Sequence, residues 1–240
     1  MSDLTLKVII DSEEQIEFLK RQGYNLFLAR LVSGRDKANV IWKSHPDFTY
    51  ANRFRWKPVY AISGSVSVGV RTLVEGSTKV KPIEPGQSIE INEWGNMTNP
   101  DGSAVPGKAF KLTNKDPNTN FSAVVYTVDP ATPDGTPLTP FYISGLLPRT
   151  FPVEITPIDN IVVVWFGQAQ ETGTIIADYS GPHFTVVYDK EQTKHTVQWT
   201  KEEGWQLVDD LKNIKETSQS GDVRRIAPSN IFTLQSVPQE

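Results

Sequence analysis

Fourteen short runs rich in Val, Ile, Thr, Tyr and Phe, each closed off by Gly, Pro, Asn or Asp, punctuate the chain from Thr5–Ile10 to Thr193–Thr200. Among them are Asn25–Val32, Val59–Ser63, Ser65–Leu73, Thr78–Pro82, Ser122–Val128, Ile161–Phe166 and Thr174–Asp178. Such runs between turn residues are strand signals, and few of the gaps are long enough for a helical crossover. The pattern predicts a mainly β fold, an antiparallel β-sandwich or barrel-like arrangement, instead of βαβ units.

Two segments carry a helical signature. Near the N-terminus Asp11 or Ser12 serves as cap, Glu14 and Gln15 stand where a capping partner is wanted, and Ile16, Phe18 and Leu19 form an apolar stripe that Gly23 stops. Further on, KEEGWQLVDDLKNIKE places Glu203 three residues after Thr200 and repeats Trp205, Val208, Leu211 and Ile214 at near-helical spacing, which predicts a C-terminal helix despite Gly204 inside it.

The stretch from Val128 to Pro152 holds six of the seventeen prolines. That density forbids a central strand. Because Phe141, Tyr142, Ile143, Leu146 and Leu147 are too apolar for a free tether, residues 129–152 are expected to form a crossover packed on the surface. The expected organisation is a single β-rich domain of 240 residues, with two related halves, 1–128 and 153–240, as the alternative suggested by Val-rich steps before Trp42, Trp165 and Trp199.

A chain of this length can bury an adequate core without cross-links. The formal net charge of −4 argues against a phosphate-backbone binder, so no nucleic acid partner is expected. With no cysteine there is no disulfide, thiolate metal site or cysteine nucleophile. No basic stretch followed by an apolar run opens the sequence, and no apolar run approaches a membrane span of roughly 18 to 20 residues, so a soluble, cytoplasmic protein without a membrane partner is expected.

Few motifs carry chemistry. Gly64 to Gly69 has the glycine spacing of a phosphate loop, but Val70 replaces the required lysine and the surrounding residues alternate as a strand. His45, His183 and His195 show no metal-ligand spacing, and no metal or cofactor is expected. Ser44-His45-Pro46-Asp47 contains the residue types of a triad, but adjacent residues rarely converge in the required geometry.

The segment from Asn39 to Tyr60 packs six aromatics and four cations into twenty-two positions. Strict alternation in Arg53-Phe54-Arg55-Trp56-Lys57 sends Phe54 and Trp56 to a core face and the cations to the opposite face. That basic face either pairs with acids on a neighbouring strand or receives an anionic group. Trp42 and Tyr60 are assigned to packing. The candidate ligand-binding residues here are His45, Asp47 and Tyr50 in the preceding loop, with Arg53 and Arg55. Trp94, among small polar loop residues, is placed to stack on a flat ligand, and Asp178, Tyr179 and His183 surround a Gly-Pro turn.

Three function classes remain, led by a ligand-binding module, lectin-like or small-molecule-binding, that takes a carbohydrate or small molecule on loop aromatics and the basic face. The alternative is an isomerase, cyclase or hydrolase enclosing a hydrophobic substrate, and the third is a membrane-active β protein. Oligomeric state is not legible in the sequence.

Overall fold

The computed structural model describes residues 3–128 and 138–208. These form a mainly β, sandwich-like structure with four sheets and one helix. The first sheet orders β15 (Gly204–Leu207), β14 (Lys194–Thr200), β1 (Leu4–Ile10) and β4 (Ala51–Trp56). In the second, β13 (His183–Val187), β12 (Pro157–Gln168), β2 (Tyr24–Val32) and β3 (Lys43–His45) lie side by side. The third is β10 (Leu138–Ile143), β9 (Ser122–Val128), β5 (Tyr60–Ser65) and β6 (Lys81–Ile83), and the fourth is β11 (Pro152–Ile155), β8 (Phe110–Asn114) and β7 (Ser88–Ile91). All named pairings are antiparallel except β1 with β14 and β7 with β8.

The largest core cluster draws on every sheet, including Leu6, Leu26, Ile62 and Leu112. Strand β1 shows the expected alternation, burying Leu6, Val8 and Ile10. Strand β2 instead is buried almost throughout. Its even positions Leu26, Leu28 and Val32 join the main core, while Phe27, Ala29 and Leu31 pack in a second cluster with Ile41, Val163, Trp165 and Ile176. Arg30 shares the parity of Leu26 and Leu28, so its guanidinium enters the main core.

Helix α1 (Glu13–Arg21) forms as its sequence predicts. Ser12 Oγ accepts a hydrogen bond from Gln15 N at 3.3 Å, Glu13 and Glu14 lie in the first turn, and Lys20 and Arg21 in the last. Leu19 is buried under it, whereas Phe18 is exposed.

Other expectations need correction. The predicted C-terminal helix is absent from the described residues: Lys201, Glu202 and Glu203 form a turn, and Gly204–Leu207 pairs with β14. Thr200 Oγ1 does accept from Glu203 N, at 3.0 Å, but the bond closes a hairpin, and Gly204 at φ +71° turns the chain back. Trp205 then stacks on Phe166 with ring centroids 5.2 Å apart. Residues 209–216 of that expected helix lie outside the described residues. Ser65–Leu73 is a strand only as far as Ser65, because the chain turns at Gly69 and Arg71 takes a positive φ of 66°. Thr174–Asp178 makes isolated bridges only. Part of the expected crossover, residues 129–137, lies outside the described residues. Its continuation β10 is an edge strand whose register shifts after Pro140, the kind of position at which a sheet tolerates proline.

The Pro85-Gly86 turn before β7 is tightly enclosed. Gly86 has φ +93°, and a Cβ there would lie 2.9 Å from Val105 N. Gly86→Ala is therefore expected to lower the unfolding free energy by about 1–3 kcal/mol in urea titration.

Candidate ligand cleft

A cation in the middle of an apolar strand must find its partners inside the protein. Arg30 is 1% exposed. Its Nη2 lies 3.1 Å from Asp159 Oδ1 and donates to Tyr60 Oη at 3.0 Å, and Tyr60 Oη donates in turn to the same Oδ1. The guanidinium carbon sits 4.9 Å from the Phe141 ring centroid, 5.4 Å from Tyr60 and 5.5 Å from Trp42, so three π faces supplement the single carboxylate. Trp42 is held by its indole N–H, which donates to Thr127 Oγ1 at 2.8 Å.

The backbone explains how Asp159 arrives. Pro157 pairs with Val32 and Val162 with Arg30, leaving residues 158–161 of β12 opposite Leu31 alone. This bulge carries Asp159 out of the ladder and across to the Arg30 head group. Burial pulls the Arg30 pKa down to about 10 against the opposing pull of Asp159, which leaves the guanidinium charged at neutral pH. For Asp159 burial is again the larger influence, and it raises the carboxyl pKa above the ordinary aspartate value against the attraction of Arg30.

Asp159 is 30% exposed and faces a cleft of about 690 Å³. Tyr60 and Asp159 contribute its polar atoms at the Arg30 end, and five prolines (58, 82, 85, 100 and 106) line it with Val59, Ile83 and Ala104. Proline walls are stiff and have no backbone N–H to offer. Glu84 also lines the cleft and has no cationic partner among the described residues, whereas Lys57 is held 3.3 Å from Asp3. Asp159 Oδ1 is taken by Arg30 and Tyr60, while Oδ2 accepts no hydrogen bond among the described residues. A second hollow of about 490 Å³, lined by Leu4, Asn160 and Tyr188, shares Pro58 and Asp159 with the first.

None of the nine residues singled out from the sequence lines this cleft. Phe54 and Trp56 turn inward and Arg53 and Arg55 outward, as the alternation predicts. Arg55 is paired with Asp3 at 2.6 Å, and that bond is the main reason the Asp3 carboxyl pKa lies below its ordinary value. Arg53 stands opposite Lys7 and makes no ion pair among the described residues. His45 sits edge-on to Phe54 with centroids 5.8 Å apart, while Asp47 and Tyr50 are exposed. Trp94 is 77% exposed at a loop tip.

Asp178, Tyr179 and His183 do come together, with the Tyr179 and His183 rings 4.6 Å apart. Lys37 Nζ occupies Asp178 at 2.6 Å and lowers its pKa, and Tyr179 Oη accepts from Ala38 N at 2.9 Å. No group of three or more His, Asp or Glu among the described residues is arranged to hold a metal.

The sequence did hold one signal for the cleft: a lone arginine inside the apolar run Asn25–Val32. Asp159 has none, and the sequence assigns Tyr60 to packing. Comparison with protein-family models, curated proteins and solved structures finds no match for the chain.

Removing the counter-ion strands the cation. Asp159→Ala is expected to cost about 3–5 kcal/mol in urea unfolding, and Arg30→Met added to it should recover most of that loss.

Proposed function

We propose that the protein binds a small, mostly apolar molecule bearing a hydroxyl or amine donor, seated in the proline-walled cleft with its donor on Asp159. The observation that carries this reading is the divided carboxylate: Oδ1 is fixed by Arg30 and Tyr60, and Oδ2 has no protein donor among the described residues, on a residue that faces the cleft. A volume of about 690 Å³ suits a compact organic ligand. The five prolines supply apolar contact and no backbone N–H, and Glu84, without a cationic partner among the described residues, disfavours an anion.

Catalysis on such a molecule is the alternative, favoured by one feature. A phenol hydrogen-bonded to a carboxylate of raised pKa beside an apolar cleft is a group able to pass a proton. It would appear as turnover of the bound compound, with Tyr60→Phe abolishing turnover while leaving binding within a few-fold.

Ala104 is exposed at the cleft wall, so Ala104→Trp fills the space without disturbing the core. Calorimetric titration with matched apolar amines, alcohols and carboxylic acids should show amines and alcohols binding at least about tenfold more tightly than the acids. Ala104→Trp should remove that binding. Equal affinity for the acids, or binding undiminished in the variant, would contradict the proposal.

A further inference from the structure

Six of the eleven large hydrophobic side chains exposed among the described residues belong to loops at one end of the molecule. The strand register places them. Ser65 closes β5 opposite Ser122, which opens β9, and Ile143 near the end of β10 pairs with Val124, so the loops after β5 and β10 leave from the same end. The fourth sheet is aligned with that end: a Cβ on Gly64 would touch Ile91 at the close of β7 and Phe121 just before β9. Asn114 closes β8 beside Ile91, and Thr150 N donates to Asn114 O. Exposed Val66, Val68, Val70, Trp94, Leu146 and Phe151 therefore project from neighbouring loops. Two of these loops adjoin, since Val68 and Val70 line one hollow with Ile143 and Gly145. The cleft lies at the other end, where Tyr60 and Phe110 begin their strands 5.3 Å apart ring to ring.

The charge of these loops runs against that of the chain. Exposed Arg71, Lys79, Lys115 and Arg149 are accompanied by three exposed carboxylates, Glu75, Glu90 and Glu93, a small excess of cations on a protein of net charge −4. Lys115 is 3.9 Å from Glu90, but Arg71 and Arg149 have no carboxylate partner among the described residues. Asp116 is buried, its Oδ1 accepting from Asn118 N and Thr119 N.

We propose that this end docks on an anionic lipid surface. The apolar groups stand on separate loop tips divided by Ser, Gly and Asn, not on one flat sheet face. A protein partner would need a surface shaped to each tip, whereas the bilayer interface yields to all of them. Tryptophan and phenylalanine gain most at the headgroup level, where arginines reach lipid phosphates. Of the classes the sequence leaves open, docking of this kind lies nearest the third, a membrane-active β protein, and it does not rest on the cleft's ligand.

Co-sedimentation of the full chain with phosphatidylcholine vesicles, with and without phosphatidylserine, tests the docking. Binding should be at least about tenfold tighter to the anionic vesicles. Trp94→Ser with Phe151→Ser should reduce it at least about tenfold, and Arg71→Gln with Arg149→Gln should erase the anionic preference. All four positions are exposed, and unchanged near-ultraviolet circular dichroism would establish that the variants are folded. No binding to either vesicle, or binding undiminished by the aromatic substitutions, would overturn the proposal. So would self-association of the chain that those substitutions abolish without any vesicle binding.

Discussion

A guanidinium shut inside the main core is the constraint around which the rest of this structure is arranged. Arg30 lies on the core side of β2, where Leu28 and Val32 bracket it with apolar surface. A charge so placed is tolerable only with a counter-ion and further favourable contacts. Asp159 supplies the first, and the rings of Phe141, Tyr60 and Trp42 supply the others. Those groups come from β2, β5, β10, β12 and the segment before β3, so the one cation ties the second sheet to the third.

The same solution creates the cleft floor. For Asp159 to reach Arg30, β12 departs from its ladder between Pro157 and Val162, and the departure leaves the carboxylate 30% exposed. One oxygen is occupied by the interior and the residue fronts a space walled by prolines. A carboxylate anchored from behind by a buried cation and a phenol is already oriented, so a ligand would lose little entropy in fixing it.

Local signals were legible in the sequence and long-range ones were not. Ser12 and Gly23 bound the helix because capping depends on neighbours within a turn. Alternation sorted Arg53 and Arg55 from Phe54 and Trp56 because it needs only the period of a strand. The Thr200–Glu203 spacing misled, since the same hydrogen bond serves a helix cap and a hairpin turn, and Gly204 with the packing of Trp205 on Phe166 decides for the hairpin. Arg30, Tyr60 and Asp159 are separated by 30 and 99 positions, and nothing around Asp159 marks the bulge that delivers it. Tyr60 looked like packing because it is packing, buried at 2%, with only its hydroxyl engaged in the polar network.

The central claim is that Asp159 is an ionisable group held at the cleft floor and available to a donor. Carbon-13 resonance titration of its carboxyl, alone and with an apolar amine, measures this directly. Alone, the group should titrate above the ordinary aspartate value because burial disfavours its charge. A bound ammonium favours the ionised form, so the amine should lower that value, and the affinity should fall as the pH drops through it. An ordinary aspartate titration that the amine leaves unmoved would contradict the account.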